Sequence, residues 1–117
     1  MVIGVSRISL SLPGNDSLKG KRRVIRRIVD RSRNQFNVAI AEVGRLDEHR
    51  AAELGVSVVS NDASHANSML DNVLTFISGL TEAIVVGRYM ELIHVGAELD
   101  GDVGGSGAGL RNARYAV

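Results

Sequence analysis

Between Ser17 and Asn34 the sequence gathers Lys19, Lys21, Arg22, Arg23, Arg26, Arg27, Arg31 and Arg33, with Asp30 as the only carboxylate. Cations at this density suit a polyanion. Guanidinium groups match phosphate geometry with paired N–H donors, and each neutralised phosphate releases counterions into solution. Eight cations against one carboxylate leave a local excess of seven in a chain whose net charge is +1, so the remainder carries −6. Such a division bears on partners rather than on fold. Ser17, placed ahead of the basic run, adds a helix start whose free N–H groups favour anions. The pattern predicts nucleic-acid contact through Lys19, Lys21, Arg22, Arg23, Arg26, Arg27 and Arg31. Contact would be with phosphate or RNA shape rather than with bases, because Phe36, Phe76, Tyr89 and Tyr115 are the only aromatics and no strand carries a pair for base stacking. Two other uses compete for the same cations: a solvated face, and a dock for an acidic protein partner or for the chain's own Asp-containing tail.

Other chemistry finds less support. The chain has no cysteine, which removes disulfides, thiolate metal sites and cysteine nucleophiles together. His49, His65 and His94 have no ligand spacing with one another, and Asp47-Glu48-His49 reads as an exposed charged loop. His65 sits where a helix begins and suits hydrogen bonding or packing. The run Gly104-Gly105-Ser106-Gly107-Ala108-Gly109 lacks the Lys-Ser/Thr that follows a phosphate-binding loop, and no Gly-x-Ser-x-Gly joins a strand to a helix. No acid, base and nucleophile converge, so a non-enzymatic protein without metal or cofactor is expected. Glu42 stands apart. It lies in an apolar strand, where a carboxylate needs a cation, and Arg7 or Arg88 on neighbouring strands are the expected donors.

These residues are positioned by six elements. Val2–Leu12 alternates as a strand, with Ile8, Leu10 and Leu12 on one face. Pro13-Gly14-Asn15-Asp16 is turn chemistry, and Ser17 offers a cap. A helix from Leu18 to about Asn34 places Leu18, Ile25, Ile28 and Val29 on one stripe, with Phe36 beyond it and the cations opposite. Gly20 in its first turn lowers helix propensity. Asn37–Val43 and Leu54–Ser60 read as strands, and the charged segment Arg45–Glu53 between them as a helical turn. Asn61 or Asp62 caps a second helix, in which Ala66, Met69, Leu70, Val73, Leu74, Ile77 and Leu80 keep helical spacing up to Gly79. Ala83–Val95 is the last strand.

The order β-α-β-β-α-β predicts an α+β fold, a four-stranded antiparallel sheet with both helices on one face. Alternation then turns Ile3, Val5, Ala39, Ala41, Val43 and Val59 to the other face. This is too apolar for water alone, and a homo-oligomer, dimer or higher, is expected through it. Arg7, Glu42, Arg88 and Glu91 would be the polar groups in or beside that contact.

Several segments taken together, Ser17-Leu18-Lys19 with Lys21-Arg22-Arg23, Phe36-Asn37-Val38 running into Ala41-Glu42-Val43, Leu54-Gly55-Val56, and Val58-Val59-Ser60-Asn61-Asp62 with His65, resemble the YlxP-like family of small bacterial proteins. The likeness covers about Val2–Val95. It implies a ferredoxin-like fold, no established enzymatic activity and a gene often set among those for transcription termination, translation initiation and ribosome maturation. RNA or the ribosome is the partner this suggests. The sequence departs from the family at Gly20, where relatives carry a longer residue, and in a longer Gly-rich tail. The expected organisation is one domain over 1–95 and a flexible tail over 96–117, in which six of the fourteen residues from Gly96 to Gly109 are glycine. No apolar run is long enough to cross a bilayer, and a cytoplasmic location is expected.

Overall fold

The computed structural model describes residues 1–96, so the expected tail lies, from residue 97 on, outside the described residues. The chain runs β1 (Val2–Ser11), α1 (Leu18–Gln35), β2 (Ala39–Gly44), β3 (Ala51–Ser60), α2 (Ala63–Ser78) and β4 (Ile84–His94). The four strands form one antiparallel sheet in the order β2-β3-β1-β4. Two β-α-β units thus interleave, each leaving room for a strand of the other, and the fold is ferredoxin-like. The segment Arg45–Glu53 is not helical as expected. It makes a short turn in which Glu48 N–H donates to the Arg45 carbonyl, and β3 begins at Ala51.

Period-two alternation sends Ile8 and Leu10 of β1, Ile40 of β2, and Ala52, Leu54, Val56 and Val58 of β3 to the helix side, where all are buried. They meet Ile25 and Ile28 of α1 and Ala66, Leu70, Val73 and Ile77 of α2. With so few aromatics, the core is built from branched aliphatic side chains, and two rings join the helices at one end. Phe36, which closes α1, stands edge-on to Phe76 of α2 with ring centroids 5.5 Å apart.

The register also fixes the parity of β4. Ile3 pairs with Ile93, Val5 with Glu91 and Arg7 with Tyr89, so Ile93, Glu91 and Tyr89 share the open face. Glu42 and Arg88 belong to the other side. Of the four polar groups expected on the open face, only Arg7 and Glu91 lie there. Both outer strands carry a one-residue bulge: Val43 interrupts the pairing of β2 with β3, and Val86 that of β4 with β1.

The start of α1 is set by a polar lattice. The Ser17 hydroxyl accepts from Gly20 N–H at 3.0 Å, and Asn15 lies across the first turn, donating to the carbonyls of Ser17 and His49. Arg50 donates back to the Asn15 carbonyl. The low helix propensity of Gly20 has a local reason here, because a Cβ at that position would stand 2.4 Å from Asn15 Oδ1. Gly20→Ala should therefore cost about 1 kcal/mol in the native chain yet stabilise the Asn15→Ala variant by roughly 0.5–1 kcal/mol through helix propensity. Urea unfolding of the four-member cycle checks this; equal effects in both backgrounds would refute it.

Candidate polyanion site on the first helix

The face that α1 turns inward carries Lys21, Ile25, Ile28 and Ser32. Their spacing of four, three and four residues is that of a single helical stripe. Lys21 is thus a core position occupied by a cation, and it is 1% exposed. Its ammonium donates to the carbonyls of Arg45 at 2.6 Å and Glu48 at 2.7 Å. The third neighbour is Glu42 Oε2 at 2.9 Å, an ion pair in distance whose direction falls short of a hydrogen bond. An ammonium has three protons, and three oxygens surround this one. Lys21 is therefore removed from the nucleic-acid set expected from sequence. Its charge is consumed within the molecule, fastening α1 to β2 and to the turn that follows. Glu42 does receive a cation, but from the helix. Arg7 stands instead near Glu53 and over the Tyr89 ring, and Arg88 pairs with Asp71 of α2. The signal for Lys21 was its spacing from Ile25 and Ile28, hidden because its neighbours in sequence are basic too.

Two further arginines of the helix are partly engaged. Arg27 forms an ion pair with Glu82, ahead of β4. Arg33 reaches the Ile40 carbonyl on the outer strand β2 at 3.0 Å. Lys19, Arg22, Arg23, Arg26 and Arg31 are exposed and pair with no carboxylate among the described residues. Lys19, Arg22, Arg23 and Arg26 recur at i, i+3, i+4 and i+7 and so stand along one side of the helix. Together they line a shallow cleft of about 290 Å³ with no acidic wall. A second cleft runs beside it, where Arg22, Arg26 and Arg33 approach β2, but there Asp30 and Glu42 share the lining. The four-cation cleft is the more strongly positive, and it presents several N–H donors side by side.

The remaining polar residues fall into structural places. Asp62 caps α2 by accepting from His65 N–H at 2.9 Å, which leaves the His65 ring in solvent. No cluster of three or more His, Asp or Glu suited to a metal occurs among the described residues. None of their helices is long and apolar enough to cross a membrane.

Comparison with known proteins agrees with the resemblance read from the sequence. The family model described as "Protein of unknown function (DUF503)" matches residues 3–89. The chain belongs to this family. It is 35% identical over 81 residues to the Bacillus subtilis (strain 168) protein named "Uncharacterized protein YlxP", an overlap of 69% of this chain and 88% of that relative. Among solved structures, a de novo designed protein with a ferredoxin fold, determined by solution NMR, aligns over 83% of this chain and 89% of its own at a TM-score of 0.48 and 17% identity.

The buried cation gives a direct test. Lys21→Met strips two carbonyls of their donor and leaves Glu42 facing the core. Because the Glu42 side chain keeps 18% of its exposure, the expected loss of stability is about 2–3 kcal/mol, below that of a wholly buried pair. Lys21→Met combined with Glu42→Met should lose less than the single variant, since no unpaired charge then remains. Urea denaturation measures both. A Lys21→Met loss no greater than that of the exposed Lys19→Met would overturn this account.

Proposed function

We propose that the protein is a non-enzymatic factor that binds RNA, free or within the ribosome, through phosphate contacts along the outer side of α1. The observation that carries this reading is the cleft formed by Lys19, Arg22, Arg23 and Arg26, four exposed cations none of which forms an ion pair among the described residues. The four span about 10 Å of helix, and Arg31, which continues the Arg23–Arg27 row on the adjoining flank, carries the positive surface on to about 18 Å, room for several phosphates rather than a single small anion. Phosphate rather than base contact fits the sheet as well. Tyr89 is the one aromatic on the open face of the described residues, so bases have no stacking platform there. The contact set is Lys19, Arg22, Arg23, Arg26 and Arg31, with Arg27 joining where phosphate displaces Glu82. An RNA partner implies a cytoplasmic place of work.

Engagement of about five phosphates predicts that log K falls against log salt with a slope between about −3.5 and −4.5. Arg23→Glu with Arg26→Glu should abolish binding while leaving the circular dichroism spectrum unchanged, because both side chains stand in solvent. Fluorescence anisotropy with a labelled RNA oligomer reads both effects. Unaltered RNA affinity in the double variant would dismiss the proposal. Binding of an acidic polypeptide without binding of RNA would transfer the site to a protein partner.

A further inference from the structure

The open face of the sheet is apolar, and its relief is uneven. Across the sheet the paired residues form rows. One row reads Tyr89, Arg7, Gly55, Ala41, and the next reads Glu91, Val5, Ser57, Ala39. In both rows the larger side chains stand on β4 and β1, and the smaller ones on β3 and β2. In the row beyond Tyr89 the order reverses, with Gly87 and Ser9 on one half and Glu53 on the other. The low half is a wide, open depression floored by Ala39, Ala41 and Ser57 and bordered by Val5 and by Val43, whose side chain lies over Gly55. The high half carries Tyr89, which is 54% exposed, and the apolar end row holds Ile93, Ile3 and Val59, the last 67% exposed.

We infer that this face receives a second copy of the chain, related by a two-fold axis that runs parallel to the strands between β1 and β3. That axis is the centre line of the sheet. It exchanges β1 with β3 and β4 with β2 while keeping every row at its own height. Tyr89 then enters the hollow over the partner's Ala41, Glu91 lies over the partner's Ala39, and Ile3 meets the partner's Val59. In the two uneven rows each large side chain faces a small one, as it does in the reversed row, where Glu53 lies over the partner's Ser9, while in the end row two apolar side chains meet. Charge follows the same symmetry. Arg7, 3.7 Å from one oxygen of Glu53 within its own chain, stands beside the partner's Glu53 as well, and since the other Glu53 oxygen is 3.5 Å from Arg45, each carboxylate lies among guanidinium groups around the axis.

The dimensions agree with a stable pair. Strands of ten, six, ten and eleven residues about 4.8 Å apart give a face of roughly 600 Å² in projection, which side-chain relief raises toward the 800 Å² per partner of a standard interface. A two-fold contact of this kind uses one patch twice and closes on itself. It leaves the helices of both copies outward, so α1 remains accessible whether or not it binds RNA.

The test is the mass of the full chain in solution, measured by light scattering and sedimentation without nucleic acid. The native protein should be a dimer at micromolar concentration. Ala41→Arg fills the hollow, and Tyr89→Ala removes what enters it; each should raise the dimer Kd at least about tenfold with an unchanged circular dichroism spectrum. Tyr89→Ala combined with Ala41→Tyr exchanges the two partners and should restore dimerisation. Val59→Glu, at an exposed position on the same face, should also give a monomer. A monomeric native protein would overturn the inference, as would dimers indifferent to these substitutions. Failure of the exchanged pair to recover would overturn the two-fold placement.

Discussion

The position of the first helix depends on one ammonium group held away from water. Lys21 occupies a place on α1 that helical geometry reserves for the core, and burial of a cation there is tolerable only because the chain brings oxygens to it from three residues. Glu42 comes from the helix side of β2, and the Arg45 and Glu48 carbonyls come from the turn that follows. Arg45 is held at a positive φ of 55°, a conformation that costs a non-glycine residue energy, and its carbonyl is one of the three partners. Asn15 and Arg50 join the loop before α1 to the turn after β2, and Lys21 joins α1 itself to that turn. These contacts set the rotation of α1 about its own axis, and that rotation decides which cations face solvent.

The architecture was legible in the sequence because it rests on periodicity. Alternation placed Ile8, Leu10, Ile40, Val56 and Val58 on the helix side, and the spacing of Ala66, Leu70, Val73 and Ile77 placed α2. The site was legible only in part. Composition marks a basic helix but does not say which cation turns inward. In Lys19-Gly20-Lys21-Arg22-Arg23, reading by charge treats all four cations alike, whereas reading by angle separates Lys21 from the rest. Nor does a sequence report partners distant along the chain. Glu42 called for a cation, but the sheet neighbours Arg7 and Arg88 were nearer to hand than a lysine on the helix above. Gly20 looked like a defect in α1 until Asn15 was seen to lie across it.

The helix layer and the open face divide the physical roles between them. On the helix side, charge is either neutralised in pairs, as at Lys21 with Glu42, Arg27 with Glu82 and Arg88 with Asp71, or projected into solvent along α1. On the open face, charge is sparse and concentrated around Arg7, whose neighbours Glu53 and Tyr89 hold it in place from both sides. A substitution at Arg7 would therefore disturb the sheet surface without reaching α1, and one at Lys21 would do the reverse.

The bulges at Val43 and Val86 bear on what the molecule avoids. Outer strands present unpaired N–H and C=O groups, and a straight outer strand invites another chain to continue the sheet without end. Here each outer strand is broken by one extra valine, and Arg33 occupies a carbonyl of β2 besides. Lateral growth of the sheet is therefore obstructed at both margins.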